Sequence, residues 1–360
     1  MPPPLTPAPG IGVRGAYGVP RPATPISIFL DGNEGLVSPG VAALLQGADA
    51  ELIRRYPKDD QLTRLLAERH GVDASRVIVT AGADDALYRA CRAVLSPNRR
   101  LILPVPSFEM LVRDAELCLA PVESIPWRPG PFPIDAVTRA LTASEQPAGA
   151  VAVVTPNNPT GSVATESDLR RVVEAAAPRG TLTIVDLAYT EFAERDLTPL
   201  ALTLPSTLAV RTLSKAWGLA GLRVGYAIVP ENQPELAMWM RAASGPYPCA
   251  GLALALAEQR LRTGEAEVQA FVARVRAERA ELAELLSRKG VRVDAGEGNF
   301  VFAQCASAAE AQRLWEHLAQ RGIAVRRFPG KPGLDHALRI TCPGHAEWFR
   351  ALVIAVSEFH

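Results

Sequence analysis

Between about residue 50 and residue 230, short β-rich runs alternate with helical patterns, and this alternation narrows the possible folds more than any other feature of the chain. The runs are Val77-Ile78-Val79-Thr80, Leu101-Ile102-Leu103, Val151 to Val154, Leu182 to Val185, Leu208 to Arg211 and Tyr226 to Val229. Most are apolar throughout rather than alternating, the pattern of strands buried on both faces. Between them lie stretches such as Asp84 to Leu95, where Leu87, Ala90, Cys91 and Val94 follow i, i+3, i+4, i+7 and mark one apolar helix face. This rhythm predicts an α/β fold with a mainly parallel, helix-covered sheet. Beyond about residue 250 a long helical region, Glu265 to Lys289, precedes strand, strand, helix, strand, strand and a helix ending near Phe359. That order predicts a separate, smaller α+β domain at the C-terminus. Eight prolines in the first 25 residues favour an extended or poorly ordered start. The expected division is an arm at 1–45 packing with the small domain, a large domain at 46–245 and a small domain at 246–360.

Composition removes several classes of partner. The 38 basic residues equal the 38 acidic ones, so no net field recruits nucleic acid or an anionic membrane surface. A small molecule is the expected partner. Five scattered cysteines without a C-x-x-C pair argue against a disulfide framework and for a reducing compartment. The five histidines show no metal-ligand spacing, so no metal is expected. No run of about 18 apolar residues or signal-peptide pattern occurs, and a cytoplasmic location is expected.

In an open parallel sheet, ligands gather at the carboxyl ends of the strands, which directs attention to the residues just after each run. After the run at 77–80 comes Ala81-Gly82-Ala83 and then Asp84, a turn whose free N–H groups suit a phosphate, although ordinary strand-to-helix turns look the same. After 151–154 stands Thr155-Pro156-Asn157-Asn158-Pro159-Thr160-Gly161, a rigid turn with two amides able to donate to an oxyanion, or simply a Pro/Asn turn. Asp186 leaves the next run with a carboxylate that is costly to bury without a cation, unless it caps a helix. The fourth run ends in Arg211-Thr212-Leu213-Ser214-Lys215, followed eight residues on by Arg223. A lysine between hydroxyls at a strand end suits an amine nucleophile, and Arg223 with the hydroxyls suits a phosphate. A lone lysine is ordinarily a solvated surface charge, so the conjunction carries the reading.

Together these pieces resemble the fold-type I pyridoxal-phosphate (PLP) enzymes, specifically the class I/II aminotransferases and their histidinol-phosphate aminotransferase branch. The resemblance spans nearly the whole chain. It rests on Asn33-Glu34, Tyr56-Pro57, Gly82-Ala83-Asp84-Asp85, Pro106-Ser107-Phe108, Asn158-Pro159-Thr160-Gly161, Asp186-x-Ala-Tyr189, Ser214-Lys215 with Arg223, Pro246-Tyr247, Asn299-Phe300 and Leu338-Arg339-Ile340-Thr341.

The resemblance implies the PLP-dependent transferase fold of type I and the cofactor pyridoxal 5'-phosphate, carried by Lys215, which also serves as the catalytic base. It assigns Asp186 to the pyridine nitrogen, Asn158 and Tyr189 to the phenolic oxygen and Phe108 to the ring face. Thr212, Ser214, Arg223, Gly82 and the backbone of Ala83 and Asp84 would hold the phosphate. Tyr56 would reach that phosphate from a second subunit, implying a homodimer. On the substrate side, Arg339 would clamp a carboxylate, with Asn33, Arg326 and Tyr17 as further candidates and Arg326 suited to a phosphorylated donor. The implied function is transfer of an amino group from a small donor, such as histidinol phosphate, to a 2-oxo acid. A PLP-dependent decarboxylase or lyase acting on a phosphorylated amino acid, or an amino acid aminotransferase of specialised metabolism, fits the same residues. Three departures bear on the substrate: Gly35 stands where asparagine is usual, Leu187 where an acidic residue is common and Leu111 where tyrosine often stands.

Overall fold

The structure, a computed structural model, describes residues 7–11, 18–36, 49–294 and 296–360. The described strands are β1 (Ile28–Leu30), β2 (Val77–Thr80), β3 (Leu101–Val105), β4 (Val122–Pro126), β5 (Ala150–Val154), β6 (Leu182–Asp186), β7 (Thr207–Thr212), β8 (Gly225–Ile228), β9 (Arg292–Val293), β10 (Phe300–Gln304), β11 (Ile323–Arg327) and β12 (Ala337–Thr341).

Seven of them form one sheet in the order β2-β8-β7-β6-β5-β3-β4. β8 runs antiparallel to both neighbours, while β7, β6, β5, β3 and β4 pair in parallel. The apolar runs are buried on both faces, as the sequence predicts. Ala150, Ala152 and Val154 pack with the helix Gly82–Val94 on one side, and Val151 and Val153 join Trp127 and Val172 on the other. That helix turns its apolar stripe of Ala86, Leu87, Ala90 and Cys91 to the sheet and carries Asp84 and Asp85 in its first turn, where carboxylates complement the positive helix end.

The other five strands form a second sheet in the order β1-β11-β12-β10-β9. Its C-terminal members are antiparallel, but β1 is drawn from the proline-rich start of the chain and lies parallel to β11, with Leu30 opposite Val325. The pairing delivers residues 31–36 to the carboxyl edge of the first sheet. Among the described residues, no helix is long and apolar enough to cross a membrane.

Candidate active site

The carboxyl ends of β2, β3, β5, β6 and β7 surround a cavity of about 480 Å³, closed from the other side by residues following β1 and by β12. Ala83, Asp84, Phe108, Asn158, Asp186, Tyr189, Thr212, Ser214, Lys215, Arg223 and Arg339 all line it. Gly82 opens the helix beside them with φ 83°, a left-handed conformation that favours glycine, and a Cβ there would crowd Arg223 Nη2 at 2.8 Å.

Lys215 follows β7 and its Nζ donates to the carbonyl oxygen of Gly32 at 3.2 Å, above the Tyr189 ring. Asp186 is buried at the end of β6, accepting from the Ala188 N–H at 3.0 Å. Burial pushes its carboxyl up to about 7; the Ala188 bond opposes this, the Asp84 charge adds to it and Lys215 opposes it again. Thr212 and Ser214 hydroxyls lie 2.9 Å apart, and the Ser214 N–H donates to Thr212 Oγ1. Arg223, in the left-handed region at φ 53°, donates to Asp84 at 3.0 Å, and both side chains are half exposed. Arg339 enters from β12, its guanidinium donating to Asn158 Oδ1 at 2.6 Å and to the Asp31 carbonyl at 2.7 Å.

The two amides of the Asn157-Asn158 turn separate in role. Asn158 faces the cavity, whereas Asn157 is buried, donating to the Pro106 carbonyl and Thr160 Oγ1 and accepting from Ser107. Arg326 does not line the cavity; it lies directly opposite Arg339 on neighbouring strands, 5.8 Å from the Phe328 ring. Asn33 stands behind Tyr189 rather than in the cavity, donating to the Tyr189 hydroxyl at 3.1 Å. Tyr56 is 79% exposed and stacks on Tyr247 with ring centroids 4.8 Å apart, beside a different groove lined also by Leu52, Gln61 and Leu254. Tyr17 lies outside the described residues.

Sequence reasoning missed Asp31 and Gly32, whose carbonyls receive Arg339 and Lys215. The strand-end rule finds them once β1 is recognised as a strand. Each of the three departures has a local cause. A Cβ on Gly35 would lie 2.0 Å from the Lys215 carbonyl oxygen, and Leu187 and Leu111 are buried apolar core.

A lysine amine, a buried carboxyl, an amide and a phenol around one hollow, with hydroxyls and an arginine at one end, make a site for a flat, anionic carbonyl compound that condenses with the amine. Comparison with known proteins agrees with this chemistry. A family model for aminotransferase class I and II matches residues 29–348. A histidinol-phosphate aminotransferase of Ruegeria sp. is 33% identical over 339 residues, 92% of this chain and 90% of that protein. Among solved structures, a putative histidinol-phosphate aminotransferase from Erwinia carotovora atroseptica superposes with TM-score 0.82 at 26% identity, covering 96% of this chain and 98% of that one. The histidinol-phosphate aminotransferase of Sinorhizobium meliloti, solved with pyridoxal-5'-phosphate, shares the fold at TM-score 0.83 and 22% identity over 93% and 91% of the two chains. With the family model spanning most of its length and the strand ends converging on Lys215, the chain belongs to the class I and II aminotransferases.

Proposed function

We propose that this aminotransferase binds PLP in the cavity at Lys215 and moves an amino group from a small donor, histidinol phosphate by analogy with its relatives, to a 2-oxo acid. The observation that carries the reading is Asp186, a buried carboxyl whose burial holds it up to about 7 and whose neighbours offer one N–H. A pyridinium N–H⁺ set against it supplies the missing cation and returns the carboxylate to its ionised form. The rest of the cavity suits the same molecule. Thr212, Ser214, Arg223 and the N–H groups opening the helix at Gly82 fit its phosphate, Asn158 and Tyr189 its phenolic oxygen, and Phe108 its ring face.

When bound, PLP supplies an electron sink that stabilises negative charge at the donor's Cα. The chain's own residues do the rest. Lys215 holds the cofactor and, released, takes up and returns the Cα proton; Asp186 keeps a proton on the ring nitrogen; Arg339 orients a carboxylate. Arg326, opposite Arg339 in the strand register, sets a second cation on the same sheet, which suits a phosphorylated donor.

We further propose a homodimer in which Tyr56 reaches the partner's phosphate site. Tyr56 and Tyr247, exposed and stacked on each other, and exposed Ile53 three residues before Tyr56 are apolar surface that supports it. The same proposal takes 46–245 and 246–360 as large and small domains, with the start of the chain packed on the latter. The cytoplasm is its setting, fitting five free cysteines.

Borohydride reduction of the PLP-loaded protein followed by peptide mapping tests the reading. The label is expected on Lys215, and incubation with histidinol phosphate should yield the corresponding keto product. A label on another lysine, or no cofactor uptake, refutes the site; ammonia released from histidinol phosphate without keto product, or CO₂ released from a phosphorylated amino acid, moves the chemistry to a lyase or decarboxylase.

A further inference from the structure

Behind Tyr189, on the side away from the cavity, lies a closed polar network centred on Asn33. Asn33 is only 1% exposed and holds φ 54°, a left-handed conformation that asparagine adopts more readily than most residues. Its Oδ1 accepts from the Thr341 hydroxyl at 2.8 Å, and its Nδ2 donates to the Tyr189 hydroxyl at 3.1 Å. Its backbone N–H donates to Thr341 Oγ1 at 3.2 Å, and its carbonyl accepts from Asn299 Nδ2 at 3.2 Å.

These contacts assign the protons. Thr341 gives its single proton to Oδ1, which commits the NH₂ end of the Asn33 amide to Tyr189. A phenol oxygen that accepts from behind keeps its own O–H for the cavity, whose wall Tyr189 forms. A buried acceptor-only group in place of Asn33 would reverse this, drawing the Tyr189 proton backwards.

We propose that Asn33 is a positioning residue that aims the Tyr189 O–H into the cavity, toward an anionic oxygen of the bound cofactor, and that it does not touch substrate. The proposal rests on the reading that PLP occupies the cavity and adds the direction of one proton to it. A hydrogen bond donated to the phenolic oxygen favours its ionised form and lowers the pH at which the cofactor chromophore loses its proton.

The test is a pH titration of the visible absorption of the PLP-loaded protein, read beside its thermal midpoint and its affinity for PLP. Tyr189→Phe, which removes the donor, should raise the spectral midpoint by about one pH unit. Asn33→Asp keeps the size and the Thr341 contact while making the group an acceptor, and should raise the midpoint comparably. In a Tyr189→Phe background it should add nothing. Thr341→Val, which frees the amide to rotate, should raise the midpoint by a smaller amount and provides the reading if Asn33→Asp folds poorly. The proposal is overturned if Tyr189→Phe moves the midpoint while neither of the other two variants does. It is overturned equally if the Asn33→Asp shift persists undiminished without the Tyr189 hydroxyl, since that is a field effect of the new charge. Failure of the wild type to take up PLP at Lys215 would remove the underlying reading, and the proposal with it.

Discussion

Arg339 meets any substrate with its guanidinium already occupied by Asn158 and the Asp31 carbonyl, so a carboxylate arriving there exchanges neutral partners for a charge-assisted pair. Losing that pair costs about 1.5 to 3 kcal/mol, and Arg339→Ala should lower kcat/KM roughly ten- to a hundredfold for any substrate that sets a carboxylate or an equivalent anion there. Arg326→Ala should instead hurt histidinol phosphate far more than an unphosphorylated amino acid; equal losses in steady-state kinetics with the two donors would refute a role at the distal phosphate. Lys215 was legible because hydroxyls and a following arginine flank it at a strand end, a combination with few other uses. The place of Asn33 was not legible, for the opposite reason. Its residue type announces hydrogen bonding, but nothing in a sequence says that its amide faces Tyr189 and Thr341 across 156 and 308 residues.

The helix Asp60–His70 is pinned to β8 through a 2.8 Å contact between His70 Nε2 and the Tyr226 hydroxyl. Burial, then the charges of Arg211 and Arg69, push the imidazole from 6.5 down to about 4, with Asp196 opposing. The folded chain therefore holds His70 neutral, while the unfolded chain protonates it from pH 6.5 downward. Stability is lost as pH falls from 6.5 to about 4, by an amount on the order of 3 kcal/mol. His70→Gln should flatten that part of the pH profile of denaturant unfolding; an unchanged slope between the two proteins would rule the account out. Elements with long apolar runs were read within a residue or two of their observed ends, β5, β6 and β7 among them. β1 and β4 were missed. β1 has three residues with Phe29 exposed, and β4 is a half-polar edge strand, Val-Glu-Ser-Ile-Pro, so neither carries a buried run.

For the whole molecule, the proposed assembly makes a distinctive prediction. A hybrid of one Lys215→Ala chain and one Tyr56→Phe chain contains one site with the lysine of one chain and the intact tyrosine of the other. Such hybrids should regain activity well above that of either parent, approaching one native site per dimer, when activity is followed after mixing and separation by tag. Activity no greater than the parents' average would show that Tyr56 acts within its own chain or not at all. The class of fold, the order of the elements apart from β1 and β4, and the strand ends that line the cavity were already contained in the sequence, because burial on both faces and turn geometry are local and leave marks in residue type and spacing. Three features depended on folding. Pairing β1 with β11 brings Asp31 and Gly32 over Lys215, β12 sets Arg326 opposite Arg339, and a network closed by Thr341 and Asn299 orients Asn33. Each is a contact between segments far apart in the chain, and such contacts are set by the pairing of distant strands, to which no local propensity or period points.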